Sequence, residues 1–312
     1  MLTFECITAK KERLSLSSPL KVTICRDRET PADSMEVVFP FALSEEISNL
    51  KVLRDGEEIF SGIADEQIVI NDGLVRTKLI CRSMAALLVD NEAYPSVFND
   101  ISASLVFERF VKPLGFTKMV GEDKTLRDLF SVPKGTSVWQ VVENFCKAVW
   151  GMMPCVEGLS LIMHREDTEN QLVFSDKNDK NSIRYTDFEH NKLRCKLLSC
   201  VKVKTNLSEG YSSCVTDKEA EESGVLRERY LNADMFSGKS LSDADRLISN
   251  ARLKSEKITL MVPLCMTSSL GKIAIVDDSV SGFYEGFYVE SVRYSFNEKG
   301  EETRLTLIRK GC

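Results

Sequence analysis

"EEIFSGIADEQ" spans residues 57–67, and "GFYEGFYVESV" spans 282–292, about 220 residues further along the chain. With Gly62 aligned on Gly286, an aromatic stands two residues before each glycine, Phe60 and Tyr284, and a glutamate four residues after, Glu66 and Glu290. Counted from the glycine, the even positions carry Glu66, Ile68 and Ile70 in the first copy and Glu290, Val292, Tyr294 and Phe296 in the second. That is the period of a half-buried strand, so matching apolar faces are expected. Each copy then meets a polar turn, "NDG" at 71–73 or "NEKG" at 297–300, and returns through "TKLICRS" or "TRLTLIRK". Both therefore read as β-hairpins. Two unrelated hairpins can share one glycine and one glutamate by chance. Shared phase, turn position and return strand point further, to two related β-domains, one near each end.

A chain of 312 residues is long enough for two or three such domains, and 43% hydrophobic with 28% charged residues is the balance of an ordinary folded protein. It contains no run of 18 apolar residues, which excludes a spanning helix. The start, "MLTFECITAKKERLSL", lacks the basic end and apolar core of a signal peptide, so synthesis and folding in the cytoplasm are expected. The ten cysteines include no C-x-x-C pair, and His164 and His190 stand in no ligand spacing; no metal or cofactor is expected. Several cysteines fall on apolar faces, where they read as small buried hydrophobes in a reducing compartment. A formal charge of −6 with dispersed lysines argues against specific nucleic-acid binding.

Strands are expected at "LTFECI", "LKVTICR", "MEVVFPF" and "NLKVLRDGEEIFSGI", where Asp55-Gly56 signals a tight turn. From Ser83, a candidate helix cap, the texture changes. "SASLVFERFVKPLGF" places Leu105, Val106, Phe110 and Val111 on one helical face. In "VPKGTSVWQVVENFCKAVWG", Ser137 and Gln140 have capping-box spacing, Val138, Val141, Val142, Phe145 and Val149 form a stripe, and Gly151 is a stop. "GLSLIMH" follows as a strand. Residues 166–190 read as a polar junction with one short strand, and "LLSCVKVKTNL" as a strand with one wet face. The acidic run "TDKEAEESG" reads as a solvated turn or helix. A helix over 242–256 has Ser242 as cap and a stripe of Leu247, Ile248, Ala251 and Leu253; "ITLMVPL" and "GKIAIVD" lead into the second hairpin.

No catalytic constellation emerges. "FSGKS" at 236–240 lacks the earlier glycine of a phosphate-binding loop, Ala233 standing in its place. The two histidines lie beside charged loops, and no G-x-S-x-G elbow is present. Trp139 and Trp150 belong to an apolar helix, which favours packing over a sugar platform.

Two similar β-domains per chain have a use in symmetric assembly: three copies closed into a ring present six similar domains, so a three-fold object acquires an approximately six-fold face. At a second level, "DGEEIFSGIADEQ", "CRSMAALLVDNEAYPSVFNDISASLVFERFVKPLGF", "GTSVWQVVENFCKAVWG" and "GFYEGFYVESVRYSF" resemble, in order and spacing, the baseplate hub proteins of contractile phage tails. The likeness is to the late control protein D type of Gram-positive prophages and tail-like bacteriocins, and it covers nearly the whole chain. The resemblance implies an α+β, mainly β fold with two tube-like antiparallel β-barrel domains, 1–84 and 191–312, flanking and linked by a smaller α/β domain at 85–165 and the junction at 166–190. It also implies a homotrimer that joins a six-fold tail tube to a three-fold spike in the assembled particle. Partners would be the tail tube protein, the spike protein, other baseplate proteins and the tape-measure protein. Phe60, Gly62, Glu66, Tyr284, Gly286 and Glu290 are then candidates for equivalent structural positions. Two other classes stay open, a tail-associated peptidoglycan hydrolase and a monomeric carbohydrate-binding adaptor; neither accounts for the echo between the chain's two ends.

Overall fold

Asp55 and Gly56 both take positive φ, 50° and 89°, the two-residue hairpin turn that an Asp-Gly pair specifies. Around that turn the computed structural model, which describes residues 1–164, 171–177, 180–204, 210–232 and 240–310, builds an antiparallel array. Its strands are β1 (Leu2–Thr8), β2 (Arg13–Ser17), β3 (Lys21–Asp27), β4 (Ser34–Phe39), β5 (Ile47–Arg54), β6 (Glu57–Asn71) and β7 (Val75–Ser83). They lie in the order β2-β1-β5-β6-β7-β4-β3. Alternation sets the buried face: Leu2, Phe4 and Cys6 on β1, Met35, Val37 and Phe39 on β4, Leu79 and Cys81 on β7. Phe4 meets Phe39 edge-on at 5.1 Å in this core. Among the described residues no ladder returns from β2 to close a barrel.

The next neighbour of β3 comes from the far end of the sequence. Ser291–Phe296, within the long strand Gly282–Asn297, pairs antiparallel with Val22–Asp27 and carries Tyr294 into the same core at 0% exposure. The chain accordingly divides into two compact units: Met1–Asn170 with Pro263–Gly271 and Ser291–Arg304, and Gln171–Val262 with Lys272–Glu290 and Leu305–Cys312.

Within the first unit, residues 84–164 form a small α/β module. Ser137 accepts the Gln140 amide at 3.2 Å while the Gln140 side chain accepts the Ser137 amide at 2.9 Å, which starts the helix Val138–Trp150; Gly151 ends it in the left-handed region at φ 69°. Trp139, Val142 and Phe145 pack with Leu88, Phe110 and Phe116. Two expectations are corrected. Ser83 is no helix cap: it ends β7, and its buried hydroxyl accepts the Asp33 amide at 3.0 Å. The helix at 103–114 passes through π geometry over Phe107–Val111, and it is Phe107 that is buried with Val106, Phe110 and Val111 while Leu105 is exposed.

In the second unit, Gln171–Ser175 runs parallel to Ile273–Asp278, which pairs antiparallel with 282–288. Asp187–Lys192, from the stretch read as polar junction, is a strand paired with Glu256–Val262. A separate three-stranded sheet places Cys200–Lys204 between Ser213–Thr216 and Glu228–Asn232, under the helix Ser240–Leu253. Val201, Val203, Leu231, Ala244 and Ile248 form its core; Leu247, expected in the stripe, is exposed. Cys200 and Cys214 form a disulfide across this sheet, with Cα atoms 6.5 Å apart. The buried-thiol expectation therefore needs correcting for this pair: the ladder sets Cys214 opposite Lys202 and Cys200 opposite Thr216, so the two sulfurs meet diagonally on one face. It describes Cys6 and Cys146 well, whose thiols burial pushes up to about 11 and about 12. Among the described residues no helix is long and apolar enough to cross a membrane.

Candidate functional site

The two echoing segments enter their hairpins through different backbone solutions. Gly62 lies in the regular part of β6, opposite Leu50 on one side and Ser83 on the other. A Cβ there would stand 2.0 Å from the Arg82 carbonyl oxygen and 2.8 Å from its carbon, so this glycine exists for close approach of β6 to β7. Gly286 has φ 75° and open space where a Cβ would be. It sits where the ladder with Ile273–Asp278 slips, Ala274 facing Phe287 and Val276 facing Tyr284, and its left-handed backbone makes the bulge. β6 has its own irregularity three residues later, between Ala64 and Glu66.

The aromatics differ likewise. Phe60 is buried opposite Val52. Tyr284 is half-buried, donates to the Ser281 carbonyl at 2.9 Å, and meets Phe188 at 5.7 Å, Phe287 at 6.4 Å and the His190 ring at 4.9 Å. Glu66 is exposed opposite Ile80, and Glu290 is half-buried. The apolar faces do not match as expected. Val292 and Tyr294 are buried, but Ile68 is 38% exposed and Ile70 only half-buried. The reason is that the β6–β7 hairpin outruns its neighbours: β5 stops pairing at Ile63 and β4 at Thr77. Its tip is correspondingly apolar and open, with Val69 53%, Leu74 73% and Val75 42% exposed.

Two polar networks hold these pieces. Arg82 makes paired contacts to Asp65 at 2.6 and 2.9 Å and to Asp90 at 3.0 and 2.7 Å, tying β6 and β7 to the short helix Ala86–Asp90. The Asp90 carboxyl is held below its usual range by that guanidinium. Arg54 at the end of β5 donates to both oxygens of Glu301, at 2.9 and 2.5 Å, and Tyr294 donates to Glu301 at 3.2 Å. Thr303 donates to the Leu264 carbonyl at 2.5 Å and accepts the Met266 amide at 3.1 Å. These contacts explain why 263–271 and 291–304 belong with the first sheet. No spacing rule reaches across |i−j| of 247, so neither Arg54 nor Glu301 stood out in the sequence.

The groups considered for chemistry have packing roles. His190 meets Glu256 at 2.8 Å, and Arg309 binds the same carboxylate. His164 stacks on Trp150 at 5.6 Å, and Trp139 is in the core. Asp217, in the acidic run, is buried; it caps the helix Lys218–Glu222 through the Ala220 amide and binds Arg252 with both oxygens at 2.5 Å. Among the described residues no three His, Cys, Asp or Glu side chains gather as a metal site. Phe236–Lys239 of "FSGKS" lie outside the described residues, as do the side chains of Ser240 and Ser242.

No protein-family model matches this chain, and no curated protein sequence does. Solved structures do match. A tail protein from Neisseria meningitidis MC58 is 17% identical, with 99% of this chain and 96% of that one aligned at a TM-score of 0.77. The 43 kDa tail protein of prophage MuSo2 from Shewanella oneidensis is 14% identical, with 99% and 97% covered and a TM-score of 0.80. Prophage tail protein gp18 from Listeria monocytogenes EGD-e is 13% identical, with 99% and 94% covered and a TM-score of 0.57. The fold of this chain, from end to end, is the fold of these phage tail proteins.

Proposed function

We propose that this chain is the structural hub of a phage-like tail baseplate, of the late control protein D type. It acts as a homotrimer whose two β-modules per subunit make a pseudo-six-fold ring between a six-fold tail tube and a three-fold spike. The observation that carries this reading is the two-way coverage of the likeness: 99% of this chain aligns with 96% and 97% of two tail proteins. The doubled hairpin supports it: Phe60, Gly62 and Glu66 in the first module are echoed in sequence by Tyr284, Gly286 and Glu290 in the second, although the two copies set them in different surroundings. So does the open apolar tip at Val69, Leu74 and Val75, a surface that suits burial against a neighbour in an assembly. The role is non-enzymatic. The partners are a second and third copy, the tube protein, the spike, other baseplate proteins and the end of the tape-measure protein. A net charge of −6 suits a lumen through which DNA passes without sticking. The chain is made in the bacterial cytoplasm and ends in the particle.

The test is native mass spectrometry of the purified protein, alone and mixed with the spike protein of the same particle. A trimer in either sample is expected. A monomer in both, across a wide concentration range, overturns the reading.

A further inference from the structure

Beside the small three-stranded sheet of the second unit, Arg194 and Arg227 have no carboxylate partner among the described residues. Lys202 pairs with Glu228 at 2.7 Å and Arg252 with Asp217 and Glu219, while Arg229 on the strand Glu228–Asn232 donates to the Glu228 carbonyl at 3.3 Å. Arg194, in the 3-10 turn Arg194–Lys196, instead donates to the Ser223 carbonyl, and Arg227 donates to the Arg194 carbonyl at 2.9 Å. Among the described residues neither pairs with a carboxylate. Both line one cavity of about 290 Å³, with Cys195, Gly224, Val225 and Leu226.

The cavity is held in shape by backbone contacts. Val225 is buried and its amide donates to the Ala220 carbonyl at 2.9 Å, while the Ser199 amide and hydroxyl both donate to the Arg227 carbonyl at 2.9 Å. Gly224 takes φ 78°, and the Arg194 guanidinium lies 3.5 Å from where its Cβ would be. Each guanidinium gives a hydrogen bond to one carbonyl and belongs to an exposed residue, and a guanidinium with donors to spare suits a planar carboxylate. Beside it Leu226 is 90% exposed, an apolar side chain almost wholly in water on a pinned turn.

We infer that this cavity docks an acidic peptide segment of a partner protein, its carboxylate gripped by Arg194 and Arg227 and an adjoining apolar side chain laid on Leu226. A free inorganic anion satisfies the guanidiniums but not Leu226; a peptide that alternates acid and apolar residues satisfies both. This site does not depend on the hub reading, since a monomer presents it equally.

Fluorescence anisotropy of a labelled acetyl-Glu-Leu-Glu-Leu peptide on the full chain tests it, with the Gln-for-Glu peptide and inorganic phosphate as competitors. Saturable binding of the acidic peptide is expected, with affinity falling about tenfold in each of Arg194→Gln and Arg227→Gln. Leu226→Ser, which touches only an exposed side chain, leaves the fold intact and also weakens binding. No saturable binding, equal competition by the Gln peptide, unchanged affinity in the arginine variants, or full displacement by phosphate at the peptide's own concentration each overturns the proposal.

Discussion

The two glycines that align in sequence answer differently to the same substitution. In Gly62→Ala the new Cβ would be 2.0 Å from the Arg82 oxygen, about 1.4 Å short of the 3.4 Å at which ordinary contact begins, and the obstacle is backbone in a paired strand. Neither β6 nor β7 can yield alone: β7 is also paired with β4, and Arg82 is tied to Asp65 and Asp90. Overpacking of this kind costs about 3 kcal/mol, the upper end of the usual range. Over a unit of this size that lowers the midpoint of thermal unfolding by roughly 6–12 °C. Gly286→Ala meets no atom and carries only the left-handed backbone penalty, about 1–2 kcal/mol. Asparagine, which tolerates that backbone, recovers most of the loss at 286 and none at 62. Both tryptophans, Trp139 and Trp150, lie in the first unit, so tryptophan fluorescence reports its unfolding and far-ultraviolet circular dichroism reports the whole chain. The expected result is a large fluorescence-detected shift for Gly62→Ala and a smaller shift, seen mainly by dichroism, for Gly286→Ala. A Gly62→Ala protein that melts within about 1 °C of the parent refutes the close-approach argument. A Gly286→Asn protein as unstable as Gly286→Ala refutes the left-handed one.

Three other outcomes follow from the same contacts. A double-mutant cycle on Arg54→Ala and Glu301→Ala, read by urea unfolding, gives a coupling of roughly 1 kcal/mol for this half-exposed pair, and a cycle near zero removes its role in holding 291–304. Hydrogen bonding from Arg252 holds the Asp217 carboxyl below its usual range. Its stabilisation is therefore complete above the unfolded value near 4 and is lost as pH falls through the lower folded value, so an Asp217→Asn chain shows a flatter acid limb of stability against pH. Leu74→Asp changes monomer stability by no more than about 0.5 kcal/mol, because the side chain is 73% exposed, yet it reduces the assembled species seen by native mass; unaltered assembly excludes the hairpin tip from the interface.

What was legible in the sequence was what neighbouring residues decide. The Ser137–Gln140 cap, the Asp55-Gly56 turn, the alternation of β1 and β4, and the wet face of Cys200–Lys204 each depend on groups a few residues apart, and each is present. The doubled hairpin was visible for the same reason. What each copy does was not: the aligned glycines differ because one faces the Arg82 carbonyl and the other opens a bulge, facts set by partner strands. Ile68 reads as a core residue until β5 and β4 prove too short to cover it, and Leu105 as a stripe residue until the helix widens at Phe107. Tyr294 reads as one end of a hairpin, and only pairing with β3 makes it part of the first core. Local sequence thus determined which segments are strands, turns and capped helices, because those choices rest on backbone propensity and side-chain period. Tertiary structure alone decided which segments share a core, which apolar residues stay open, and which charges meet, because those depend on chain segments as far apart as Val22 and Phe296.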